Sequence, residues 1–225
     1  MKKISIVLIL LTFGLVVVSA ASINATVLEL AGKVEYQAPG KGWVPAKVGT
    51  VLPKGTIVST GFKSTAILKL GTSTVTVKPI TRLSLEEILE SDSGTQTQLF
   101  LLAGRVKADV TPQAGKSIDF KVKSPTATAS VRGTGFEFDG INLFVENGSV
   151  QFMTPSGMRR FIGQGEFSRL SPDGTVSPPV AVSGSGLDTV DSTGGDDDGS
   201  GGDNPPPAPF DLPIKPEGIL TIIIS

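Results

Sequence analysis

The amino-acid sequence predicts an all-β fold, a compact multi-stranded antiparallel sandwich or β-roll built from hairpin meanders. Three observations carry that expectation: strict two-residue alternation, turn dipeptides at strand ends, and the near absence of a helical period. Ser117-Ile-Asp-Phe-Lys-Val-Lys123 alternates without a break and sets Ile118, Phe120 and Val122 on one face. Further on, Phe136 and Phe138 lead into Asp139-Gly140; Ile141, Leu143 and Val145 follow, then Asn147-Gly148, then Val150 and Phe152. Both dipeptides readily take the positive φ angles of two-residue hairpin turns, so the segment predicts a three-stranded meander. β-Branched residues crowd other stretches, as in Thr74-Val-Thr-Val77. Only Ser84–Leu89 has room for a turn or two of helix, without a sustained period.

Ahead of this body, Met1-Lys2-Lys3 and the apolar run Ile4–Val18 precede small residues at Ser19, Ala20, Ala21 and Ser22. That is the pattern of an export signal over residues 1–20, cleaved near Ala20. The apolar run is short for a membrane span, which takes about 20 residues. An exported protein without a stable span is therefore expected, periplasmic or secreted and associated with the cell envelope.

The strand-rich domain is expected over residues 26–182. From residue 183 to 209 the composition turns to Gly, Ser, Asp and Pro, including Asp196-Asp-Asp198 and Pro205-Pro-Pro207. Such a segment buries too little apolar surface to offset its ordering entropy and reads as a flexible linker. Residues 210–225 end in an apolar run holding Ile219, Leu220, Ile222, Ile223 and Ile224, which predicts a strand that either docks on its own domain or completes a partner's sheet.

Charge follows the same division. Residues 26–182 hold 17 basic and 13 acidic side chains, net +4, whereas residues 183–225 hold one basic and eight acidic, net −7. No dense Lys/Arg stripe interleaved with aromatics occurs, so no nucleic-acid partner is expected. The chain has no Cys and no His. Disulfides, thiolate or imidazole metal sites and His-dependent nucleophile systems are thereby excluded. Glu86, Glu87 and Glu90 read as a solvated edge rather than a catalytic carboxylate group, and the consecutive Asp residues lack the alternate spacing of a calcium loop. No catalytic residue, cofactor or metal is expected.

An internal echo is present: Leu30-Ala-Gly-Lys-Val34 returns as Leu102-Ala-Gly-Arg-Val106, and Gly148-Ser-Val150 repeats its end. It is either a reused strand-entry solution, with Gly permitting a bend, or a trace of duplication.

These stretches, with Trp43-Val-Pro-Ala-Lys-Val-Gly49, Leu52-Pro-Lys-Gly55, Ser64–Leu70 and Thr126–Phe138, together resemble the FecR domain family over roughly residues 26–170. Val131, Arg132, Gly133, Thr134 and Phe136 look like its most recognisable signature. In the best-known members such a domain stands in the periplasm behind a cytoplasmic anti-sigma segment and a transmembrane helix. Here only an export signal is read before the domain. The resemblance therefore implies a non-enzymatic binding or assembly module that meets an envelope protein or glycan. The alternative it implies is a periplasmic sensor acting through a separate membrane signalling protein.

Within the signature the structural reading is preferred, with Gly133 shaping the backbone, Thr134 capping or pairing nearby, and Arg132 meeting Glu137 or Glu146. Trp43, the only tryptophan, is expected to plug one end of the core, with stacking on a partner as the other option.

Overall fold

The computed structural model describes residues 21–22, 24–182 and Leu187, all within one compact unit of the chain. The expected signal segment and the C-terminal apolar strand lie outside the described residues.

Among the described residues the chain forms nineteen strands. In order they begin with β1 (Ala21–Ser22), β2 (Ala25–Ala31), β3 (Val34–Gln37), β4 (Trp43–Pro45), β5 (Val51–Leu52) and β6 (Ile57–Thr60). Next come β7 (Thr65–Leu70), β8 (Ser73–Val77), β9 (Arg82–Ser91), β10 (Gly94–Ala103), β11 (Val106–Asp109) and β12 (Ser117–Lys123). The last are β13 (Thr128–Val131), β14 (Gly135–Phe138), β15 (Asn142–Asn147), β16 (Ser149–Met153), β17 (Arg159–Gly163), β18 (Glu166–Arg169) and β19 (Val180–Ala181).

Two sheets result, and the all-β expectation holds. Sheet I runs β4-β3-β6-β9-β10-β12-β13-β16-β17, with β1 against the far end of β9; sheet II runs β5-β2-β7-β8-β11-β14-β15-β18-β19. Pairings are antiparallel except for β10 with β12. That exception follows from topology: after β10 the chain spends a single strand, β11, in sheet II and returns pointing the same way.

The alternation seen in the sequence sorts side chains between core and surface. Phe120, Val122, Val150 and Phe152 face inward from sheet I; Val75, Val77, Phe136, Phe138 and Val145 face inward from sheet II. Phe138 and Phe152 meet between the sheets edge to face, with ring centroids 5.9 Å apart and an interplanar angle of 82°. An aromatic pair of this geometry adds about 0.5–1.5 kcal/mol beyond its buried area.

The echoed pentapeptides occupy equivalent places. Each ends a strand of one sheet and starts a strand of the other: β2 into β3 at Gly32, β10 into β11 at Gly104. At both, the residue after the glycine donates its backbone N–H to a side-chain hydroxyl, Lys33 to Ser64 Oγ at 2.8 Å and Arg105 to Thr81 Oγ1 at 2.9 Å. Each hydroxyl residue follows a non-glycine residue in the left-handed region, Lys63 (φ 51°) and Ile80 (φ 53°). A Cβ on Gly104 would lie 2.5 Å from Thr81 Cα, so the corner closes only around glycine.

Two local expectations are corrected. Ser84–Leu89 lies within β9 and is not helical. A register shift there sets Gln98 opposite Glu87 and Leu99 opposite Leu85, leaving Glu86 as the extra residue. The bulge puts Leu85 and Ile88 both in the core at a spacing of three, which mimics a helical period. The meander is also broken. β14 and β15 pair as a hairpin through Asp139, whose Oδ1 accepts the N–H groups of Ile141 and Asn142. At Asn147-Gly148, however, the chain crosses to sheet I, where β16 pairs with β13 and β17. Asn147 Oδ1 accepts the Gly135 N–H at 2.8 Å, which helps hold a corner instead of a hairpin turn.

Candidate functional site

The signature residues are brought together at a crossing between sheets. Val131 ends β13 in sheet I and Phe136 lies in β14 of sheet II, and both are in the core. Gly133 sits between them at φ 104°, where a Cβ would fall 2.7 Å from Pro112 Cγ. Thr134 is buried; its hydroxyl donates to the Ser149 carbonyl at 3.1 Å, and its own carbonyl accepts the Val110 N–H at 3.0 Å. Four of the five residues thus build the crossing.

Arg132 behaves differently. It is exposed, and neither expected carboxylate is available to it. Glu137 is buried against Lys78, 3.3 Å away, and also accepts the Leu187 backbone N–H at 2.8 Å. Glu146 takes Lys107 at 2.7 Å, and that hydrogen bond raises the lysine's pKa above its ordinary value. Among the described residues Arg132 has no ion-pair partner, so the expected pairing is corrected. Both acids stand on β14 and β15 in sheet II, whereas Arg132 extends from β13 onto the outer face of sheet I.

There it lines a shallow groove of ≈ 700 Å³ with Asp119, Lys121, Ser130, Gln151 and Phe161. Strand pairing sets one row straight across the groove: Lys121 opposite Ser130, Ser130 opposite Gln151, Gln151 opposite Phe161. Four strands at the usual spacing make this row about 14 Å long. Phe161 is 66% exposed on β17, the last strand of the sheet. Lys121 Nζ donates to Asp119 Oδ2 at 2.7 Å. The adjoining outward row, Lys123, Thr128, Met153 and Arg159, adds two more cations. The face of β12, β13, β16 and β17 therefore carries Lys121, Lys123, Arg132 and Arg159 against one carboxylate of its own, Asp119. Glu166 reaches its border from β18, accepting the Gly163 N–H.

Trp43 is not a core plug. It is 41% exposed on the edge strand β4, with the Arg82 guanidinium 5.5 Å from its ring centroid. The sheets keep it out because β4 is three residues long with every residue exposed. Ile219, Leu220, Ile222, Ile223 and Ile224 lie outside the described residues. Glu86 and Glu90 are taken up as surface partners on β9: Glu86 Oε2 accepts from Gln98, and Glu90 from Lys116.

The groove residues other than the signature were not singled out by sequence reasoning. One signal was present: the alternation of Ser117–Lys123 that buries Ile118, Phe120 and Val122 necessarily turns Asp119, Lys121 and Lys123 outward. Nothing in the sequence alone pairs that face with Arg132 or Phe161, which requires the strand order.

Comparison with known proteins agrees with the family resemblance. Residues 56–151 match the family described as FecR protein, a narrower span than the 26–170 over which motifs were read. No curated protein matches the chain. Two crystal structures of a protein provisionally assigned as an anti-sigma factor from Parabacteroides distasonis ATCC 8503, at 1.65 and 2.50 Å resolution, are similar to it. Their identities are 16% and 17%, each with a TM-score of 0.46, covering 54% of this chain and 57% of the other. The chain thus spans little more than half the length of those structures.

Proposed function

We propose, for a chain with a FecR domain over residues 56–151, that it is a non-enzymatic, extracytoplasmic binding or assembly module of the cell envelope. Its recognition surface is the outer face of β12, β13, β16 and β17. The observation that supports this most directly is the split within the signature: Val131, Gly133, Thr134 and Phe136 are consumed by the fold, while Arg132 is held out over the groove. An exposed arginine with no ion-pair partner among the described residues, on a pre-formed β scaffold, suits recognition of another molecule.

The second reading, a sensor that signals through a separate membrane protein, is favoured by the family match alone. Both readings place the domain outside the cytoplasm, with the mature chain starting near Ala21. N-terminal sequencing of protein from the envelope fraction tests that placement, and an intact Met1 overturns it. The role is tested by affinity capture from envelope extract with the wild-type chain and with an Arg132→Gln/Phe161→Ala double variant. A retained envelope component that the double variant loses supports the module. Retention of a membrane signalling protein, with signalling output lost in the variant, supports the sensor. Capture unaffected by the double variant removes this face from either account.

A further inference from the structure

We infer that the outer face of β12, β13, β16 and β17 binds an acidic, carboxylate-bearing polysaccharide. The inference rests on the proposed recognition face and gives it a ligand class. Its first support is charge: four cations, Lys121, Lys123, Arg132 and Arg159, share this face with Asp119, whose carboxylate is already engaged by Lys121. The other strand acids of the same sheet lie beyond β10, Glu86, Glu87 and Glu90 on β9 and Glu35 on β3. An anionic chain is thereby attracted to one half of the sheet and repelled from the other.

The second support is the chemistry between the cations. Ser130 and Gln151 stand side by side in the row that runs from Lys121 to Phe161, and Ser149 lines the same groove. Hydroxyl and amide groups donate and accept together, as a ladder of sugar hydroxyls requires. The guanidinium of Arg132 offers a planar fork matched to a carboxylate. Phe161, 66% exposed at the end of the row, presents a ring for the apolar face of a sugar.

Other anionic partners fit less well. A nucleic-acid strand calls for several stacking aromatics along its path, and this groove has one. A protein partner calls for a central apolar anchor cluster, whereas here Phe161 stands at the edge of a polar floor.

The test titrates the full chain with hexagalacturonate, its methyl ester, and a single-stranded oligothymidylate of similar charge, using calorimetry. Hexagalacturonate is expected to bind in a salt-sensitive manner and the ester at least about tenfold more weakly, the equivalent of one charge-assisted hydrogen bond. Arg132→Gln and Phe161→Ala are each expected to weaken the acid by about tenfold or more. Glu87→Gln is expected to leave it unchanged or slightly tighter. Equal binding of acid and ester, no binding of either, or tighter binding of the oligonucleotide overturns the inference. Should hexagalacturonate fail while envelope capture still depends on Arg132 and Phe161, the ligand class falls and the face stands. If capture ignores both residues, the face falls with it.

Discussion

The two sheets turn very different outer faces to their surroundings, although the same alternation built both. On sheet II the outward row through Lys107, Glu137, Phe144 and Phe167 is largely closed over. Glu137 and Phe144 are each 3% exposed while pointing away from the core, and buried Leu187 reaches Glu137 with its backbone N–H. On sheet I the corresponding row through Lys121, Ser130, Gln151 and Phe161 stays open. Outward register therefore does not define a surface. A face becomes a candidate for recognition only where the chain leaves it uncovered, and here that is the face holding Arg132.

Substitutions that sharpen this contrast are ordered by expected effect. The largest belongs to neither face but to a corner serving both sheets. Gly104→Val sets a branched side chain at φ 89° against Thr81 and is expected to cost several kcal/mol, about 3 or more, read as loss of cooperative thermal unfolding or a large drop in Tm. A variant melting within a few degrees of wild type would show that the corner can reopen.

On the covered face, Phe144→Ala is expected to cost about 3 kcal/mol, as for a buried aromatic. Its open-face counterpart Phe161→Ala should stay within about 0.5 kcal/mol. Chemical denaturation of the two variants in parallel measures the contrast, and equal losses would erase it. Glu137→Ala strands Lys78 and the Leu187 N–H at once and is expected to cost about 2–3 kcal/mol. Arg132→Ala should change stability by less than about 0.5 kcal/mol, since it leaves no buried partner unpaired. A clear destabilisation would return Arg132 to the scaffold.

The smallest effect has the opposite sign. Ile80 is β-branched, 64% exposed and held at φ 53°, a conformation that glycine adopts without penalty. Ile80→Gly is expected to raise stability slightly, by no more than about 1 kcal/mol, the relief of strain outweighing the added freedom of the unfolded chain. A lower Tm would mean that the isoleucine side chain is stabilised by contacts that its exposure does not suggest.

How far the sequence foretold this molecule depends on whether the cause was local. Period-two alternation from Ser117 to Lys123 gave the strand and its inner face directly, because pleating alone decides which side chains turn inward. Asp139-Gly140 gave its hairpin for the same reason. Asn147-Gly148 has equal turn chemistry yet opens into a sheet crossing, since Asn147 is engaged by Gly135, twelve residues earlier. β9 was misread at Ser84–Leu89 because a bulge is defined by the opposite strand. The signature's scaffold role was legible in Gly133 and Thr134. The outward course of Arg132 was not, because which sheet holds Glu137 and Glu146 depends on the whole strand order. Trp43 was misjudged for a simpler reason: hydrophobic bulk says nothing about lying on a short edge strand.

The order of strands in both sheets follows the order of the chain with few exceptions. A polypeptide delivered N-terminus first can therefore lay down each new segment on an edge already complete, as a crystal face advances by rows. At every stage the unfinished molecule offers only the ends of two growing layers, although each layer waits for the chain to return from the other before it extends. The same arrangement makes length adjustable. Inserting or deleting a corner with its flanking strands would shift the terminus of the stack without disturbing what was laid before it, which is how a family of this build could vary in size while keeping its internal packing.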